Sequence, residues 1–271
     1  MRSPSATIAE PEVHERRIPM GAVRDTFAIV QRNLIAYRRV PQLLVFSTIQ
    51  PVIFVLMFRY VFGGAVRVPG RIPYVDFLMP GIFVQTVVFG SIATAIGLAT
   101  DVKSGLMERF HALAMARSAV LTGRTVADLA RNLFVVALMM GVGFLVGWRI
   151  HTNALNLLGA GVLVLLFGYA MSWIFATVGL AVGDPETAQA AAFPVLAPLV
   201  FASSAFVPVD SMPGWLQVFA EHQPVSVTAS AVRGLTLGGP IASNVWQAVA
   251  WCIGILVVFG PLSVRLYRRT V

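Results

Sequence analysis

Six stretches of this 271-residue chain, at residues 43–58, 77–100, 132–148, 157–182, 190–207 and 246–264, contain no Asp, Glu, Lys, Arg or His. No other feature of the sequence constrains the fold as strongly. A segment with no charge over that length satisfies its own backbone when it winds into a helix, and roughly 20 apolar residues are what a bilayer-spanning helix requires. Only 12% of the residues are charged, about half the share in a soluble domain. The pattern predicts an all-α integral membrane protein with six transmembrane helices. The runs at 43–58 and 132–148 are short, and reach spanning length if Arg59 and Arg149 snorkel to the interface. Pro194 and Pro198 predict a bent or partly unwound fifth span.

Six spans put both ends on one side, and the basic residues choose it. Fifteen of the 20 Lys and Arg residues fall before the first span, between the second and third, or after the sixth; Arg59, Arg67, Arg71, Arg149 and Arg233 fall on the other side. The richer side is predicted to be cytoplasmic. Residues 1–19 hold Glu10, Glu12 and Glu15 with no apolar core, so they read as a disordered cytoplasmic tail and not as a cleavable signal peptide. Residues 40–264 form a single transmembrane domain, and 265–271 a cytoplasmic end. The arginines are scattered between apolar runs, which argues against a nucleic-acid partner. Membrane lipids are the surroundings the pattern demands.

The six cores lack ionisable groups, which disfavours a proton- or ion-coupled carrier. Gln50, Gln85, Ser91, Thr94, Ser172, Thr177, Ser203 and Ser204 read first as hydrogen-bonding glue between helices. The sequence has no phosphate-binding loop, no zinc-type histidine pair and no nucleophile elbow. His14, His111, His151 and His222 are dispersed, and Cys252 is the only cysteine, so neither a metal site nor a cofactor is expected in this chain. Uphill transport would need an energy source in another chain.

Two cytoplasmic elements stand out. Residues 20–39 set Val23, Phe27, Val30, Leu34 and Tyr37 on one helical face, with Arg24, Arg32 and Arg38 largely elsewhere; this predicts an amphipathic helix in the membrane interface. The connection at 101–131 is the longest on that side, and its residues before Gly123 favour helix.

Within that connection, Gly105, Glu108, Arg109, Arg117, Gly123 and Arg124 resemble the G-T-L-E-R-L…P-x-S-R…G-K signature of the ABC-2 type permeases. These are membrane subunits of bacterial ATP-binding-cassette exporters. Leu106 replaces the usual threonine, Ala114 the proline and Arg124 the lysine. A second resemblance follows the fifth span. Phe206, Pro208, Pro213, Trp215, Leu216, Gln217, Pro224, Ser226, Arg233 and Gly234 match a F-x-P-x-x-x-x-P-x-W-L-Q…N-P-x-[ST]…R-G pattern, with Gln223 in place of asparagine. The wording from His222 to Pro240 is similar to the daunorubicin-resistance-like drug and lipid exporters of actinobacteria.

The resemblance implies that 101–131 holds a coupling helix that docks on an ATPase subunit. It implies that 208–240 is an extracellular cap with short re-entrant or interfacial helices. It also implies a multi-pass protein of the bacterial plasma membrane that catalyses nothing itself. It would pair with a second copy or a paralogous permease, and work with two copies of an ATPase subunit that binds ATP and Mg. The expected cargo is a hydrophobic or amphipathic drug or lipid. Export of a lipid-linked glycan is the alternative, and a membrane-embedded enzyme or a structural membrane protein are alternatives from other classes.

Overall fold

The computed structural model describes residues 26–33, 35, 39, 42–66, 68, 72–108, 117–239 and 241–270. Among these the regular secondary structure is helical. Residues 26–33 are helical, as is Arg39. The main helices are α1 (Gln42–Leu56, continued by a π turn at Met57–Phe62), α2 (Tyr74–Gly90), α3 (Ile92–Lys103), α4 (Arg117–Leu145), α5 (Ala154–Val182), α6 (Pro185–Phe201), α7 (Gly214–His222), α8 (Pro224–Leu237) and α9 (Ile241–Thr270).

Four stretches are long and apolar enough to cross a membrane: α2 with α3, Val120–Leu145 of α4, α5, and Ser243–Arg269 of α9. The other two apolar runs make shorter helices, Ser47–Phe62 and α6. α6 contains Pro194 and Pro198 and runs without a break, but it stops at Phe201. The rest of the fifth apolar run, expected to continue to 207, turns back through Ser203, Ser204 and Ala205, whose backbone is held by side chains: the Ser203 and Ser226 hydroxyls accept from the Ala205 and Ser204 N–H groups at 3.1 and 2.9 Å.

α5 is the hub, packed against α2, α3, α4, α6, α8 and α9. Its sequence is apolar nearly all round, as suits a helix that faces other helices on one side and lipid on the other. Half of its most apolar window is buried, against 17% in α9, so α9 turns most of its apolar surface outward. Ser263 and Thr177 join α9 to α5 with a 2.8 Å hydroxyl contact, and Ser263 also donates to the Trp173 carbonyl at 3.2 Å. α3 crosses α5 where a Cβ on Gly179 would overlap the Ala95 carbonyl. Only glycine permits that approach.

The second apolar run is two helices. At Ser91 the ladder tightens rather than continuing evenly: its N–H still reaches the Val87 carbonyl at 3.1 Å, but its own carbonyl takes the Thr94 N–H at 3.0 Å, while its hydroxyl donates to the Val87 carbonyl at 2.9 Å and approaches Gly168 O of α5 at 3.4 Å.

Candidate functional site

The chain order sends α2–α3 and α5 in one direction and α4 and α6 in the other, so polar clusters gather at two ends. At the end holding Lys103, Arg117 and Asp184, the helical residues 26–33 lie across α3 and α4. Ile29 is buried, and a Cβ on Gly123 would stand 2.6 Å from its Cβ and 3.0 Å from Thr26 O. Arg32 donates to Asp101 at 3.2 Å. Arg124 reaches both neighbours, donating to Asn33 Oδ1 at 3.4 Å and to the Ala93 carbonyl at 3.1 Å.

Beneath this lies a cluster that charge counting along the sequence did not anticipate. Asp128 is fully buried on α4, flanked by Arg124 at 3.6 Å and Arg131 at 3.8 Å. Thr94 Oγ1 donates to it at 2.6 Å, and Arg131 donates to the Gly90 carbonyl beside the Ser91 joint. The third apolar run was expected to begin at 132 with charge left outside it, but its helix begins at Arg117 and carries these groups inside the packed structure. They are tolerated because each faces an opposite charge or a hydrogen-bond partner. The signal was present in the spacing: Arg124, Asp128 and Arg131, at i, i+4 and i+7, share one helical face.

Gly105 ends α3 in the left-handed region, with φ +66°, as a helix-terminating glycine does. Glu108 is helical and exposed. Gly123 and Arg124, expected near a turn, instead sit in the unbroken helix α4. Gly123 is needed for the approach of Ile29 and not for a bend. Arg24, Arg38 and Arg109 lie outside the described residues, and of Arg117 only its place in α4 is described. Lys103 and Asp184 pair at 2.6 Å. That ammonium, with the Thr187 N–H and hydroxyl, holds the Asp184 carboxyl at about 2, and Asp184 caps α6 through Thr187.

At the opposite end, α7 and α8 fill the region expected to hold short helices. Arg233 of α8 donates to the Phe77 carbonyl at 2.9 Å, to Ser204 Oγ at 3.1 Å and to the Ser204 and Ala205 carbonyls, with its guanidinium 3.7 Å from the Phe77 ring centre. Tyr74 donates to Phe206 O at 2.9 Å, and Phe206 stacks on Phe58 with ring centres 4.4 Å apart. Pro208 precedes a 3₁₀ turn (Val209–Ser211), Pro213 precedes α7, and Pro224 opens α8, each where a fixed φ and a missing N–H suit a helix start. Trp215 is 77% exposed. Asp76 accepts the Arg149 backbone N–H at 2.9 Å and lies 3.9 Å from His151, which fixes the turn after α4 and gives the pair an architectural task.

The profile of the ABC-2 type transporter family matches residues 24–237, which include both polar ends. The chain belongs to this family. It is 35% identical over 255 residues to the daunorubicin resistance ABC transporter permease protein DrrB1 of Streptomyces coeruleorubidus, covering 94% of this chain and 90% of that protein. A Mycobacterium tuberculosis permease named for doxorubicin resistance, DrrC, is 31% identical over 225 residues, covering 82% and 80% of the two chains. Nodulation protein J of Rhizobium leguminosarum bv. trifolii is 32% identical over 137 residues, about half of each chain. Family and apolar helices together make this a membrane-embedded permease.

Proposed function

We propose that the permease is the membrane subunit of an exporter driven by a separate ATPase, and that it moves a hydrophobic or amphipathic drug or lipid out of the cytoplasm or the inner leaflet. The observation that carries this is the block formed by residues 26–33, the end of α3 and the start of α4. Arg32 with Asp101, Arg124 with Asn33, and Ile29 on Gly123 tie the helical residues 26–33 to the two ends of the connection that the family signature assigns to ATPase contact. A push on the exposed Glu108 side would therefore be passed directly into α4. The drug-resistance names of its relatives support the cargo class.

In this proposal the chain crosses the membrane six times, with α1 and α6 as the shorter crossings and both termini in the cytoplasm. Arg24, Arg38, Arg109 and Arg117 belong to the ATPase-facing surface. α7 and α8 form the outer cap, with Trp215 at headgroup level. Two permeases, identical or paralogous, pair above two ATPase subunits that bind ATP and Mg.

The test is reconstitution with the partner ATPase. Glu108→Ala combined with Arg109→Ala should leave the complex assembled but uncouple ATP hydrolysis from daunorubicin efflux. A complex that contains no ATPase subunit, or an efflux rate indifferent to both changes, would remove the proposal.

A further inference from the structure

Two cavities lie side by side between α5, α6, α7, α8 and α9, partway along α5 and α9. One, of about 460 Å³, has apolar walls from Ile174, Leu199, Phe219, Trp251, Ile255 and Phe259. Trp251 and Phe259 mark its extent along α9, roughly 12 Å at 1.5 Å per residue. The other, of about 560 Å³, is bordered by Glu221, His222 and Gln247. His222 and Trp251 line both, so an oily cavity and one of mixed lining share a wall.

The side of the second cavity formed by Glu221, His222 and Gln247 carries its acceptors. Glu221 has neither an ion pair nor a hydrogen bond among the described residues. His222 Nδ1 lies 2.9 Å from the Val218 carbonyl, which takes the ring's N–H and leaves Nε2 of the neutral imidazole as an acceptor. Gln223 is spent elsewhere, donating to Leu199 O at 2.9 Å and to Ser226 Oγ at 3.1 Å. Neither cavity is lined by Lys or Arg among the described residues. Trp251 adds an aromatic face at the boundary, where a cation is attracted by the ring quadrupole.

From this charge and polarity pattern we propose that the adjoining cavities together bind a cationic amphiphile, a protonated amine on an apolar chain, entering sideways from the membrane half nearer Glu221. Glu221 and Nε2 of His222 receive the ammonium hydrogens, and the tail lies between Phe219 and Phe259. An anionic amphiphile would meet a carboxylate with no cation to offset it. The orientation comes from the reading of the chain as a membrane permease, but binding here requires neither an ATPase nor transport.

The test uses the full-length permease in nanodiscs, without ATPase, and radiolabelled dodecylamine in an equilibrium binding assay. Dodecanol and dodecanoate compete for the site, and protein-free nanodiscs set the background. Saturable dodecylamine binding is expected, with dodecanoate at least tenfold weaker. Glu221→Gln should weaken dodecylamine about tenfold and leave dodecanol unchanged; Trp251→Ala should weaken both. Binding no greater than in protein-free discs, dodecanoate competing as well as the amine, or a Glu221→Gln affinity within twofold of wild type would each overturn the proposal. Because Glu221 is exposed, Glu221→Gln should leave the fold intact, and thermal denaturation checks this. Loss of ATPase coupling in the Glu108 variants would not alter any of these outcomes.

Discussion

Replacing Asp128 by Asn keeps the side chain's shape and its acceptor for Thr94 while removing a buried carboxylate that faces both Arg124 and Arg131. Both guanidiniums would remain beside a neutral group, at 3.6 and 3.8 Å in the present geometry, with side chains only 15% and 5% exposed. Breaking a buried ion pair from one side costs about 3–5 kcal/mol, because the remaining charge stays desolvated. For a chain of this size each kcal/mol moves the melting temperature by about 2–4 °C, so the expected fall is roughly 6–20 °C. The assay is the fraction of permease that remains monodisperse in nanodiscs after heating, measured by size exclusion. If the cost arises from losing the charge pairing with Asp128, adding Arg124→Gln to Asp128→Asn should recover part of the loss. A single variant that melts within about 2 °C of wild type, or a double variant no more stable than the single, would refute this account of the cluster.

Gly179→Leu should prevent α3 from reaching α5 at Ala95 and abolish a folded permease, read as loss of the monodisperse peak; Gly179→Ala should give a smaller loss of the same sign. Gly123→Leu should lift residues 26–33 from α4 by overpacking Ile29, at a cost of about 1–3 kcal/mol, and expose the segment to protease while the rest of the chain stays resistant. Asp184 has a carboxyl depressed from 3.8 to about 2, so its pairing with Lys103 stabilises the fold at pH above about 4 and that contribution disappears as pH falls through about 2. Asp184→Asn should therefore lower stability at pH 7 and remove this part of the pH 4 to 2 dependence, as measured by acid titration of helicity. Phe206→Ala, which empties the stack on Phe58, should cost about 3–5 kcal/mol, seen as a lower melting temperature.

The helices were legible in the sequence because a lipid-facing segment announces itself by what it lacks: charge. The same rule failed where charge is folded inward. Arg131 abuts the charge-free stretch at 132–148 and Asp128 lies one helical turn before it, so the pattern places both outside the span, although α4 begins at Arg117. Their neutralisation depends on Thr94 and Gly90, more than 30 residues away in sequence. The joint at Ser91 was equally silent, since a serine inside an apolar run is ordinary helix glue until a distant side chain captures the freed carbonyl. The end of α6 at Phe201 was hidden because the apolar residues that follow serve a turn rather than a span. The signature residues were visible as a pattern. Their geometric task was not: Gly123 admits Ile29, and Arg124 reaches across to Asn33.

The Ser91 joint has a mechanical consequence. A helix interrupted inside a membrane leaves carbonyls that water cannot reach, and here the Gly90 carbonyl is taken by Arg131 of α4. If α4 turned about its own axis by even a fraction of a turn, it would strip that carbonyl of its donor in a dry environment, at about 1–3 kcal/mol. The two half-helices and α4 are thus geared together with little slack. A rotation of α4 therefore has to be followed by the backbone at Gly90, the point at which α4 is tied to the joint between the two half-helices.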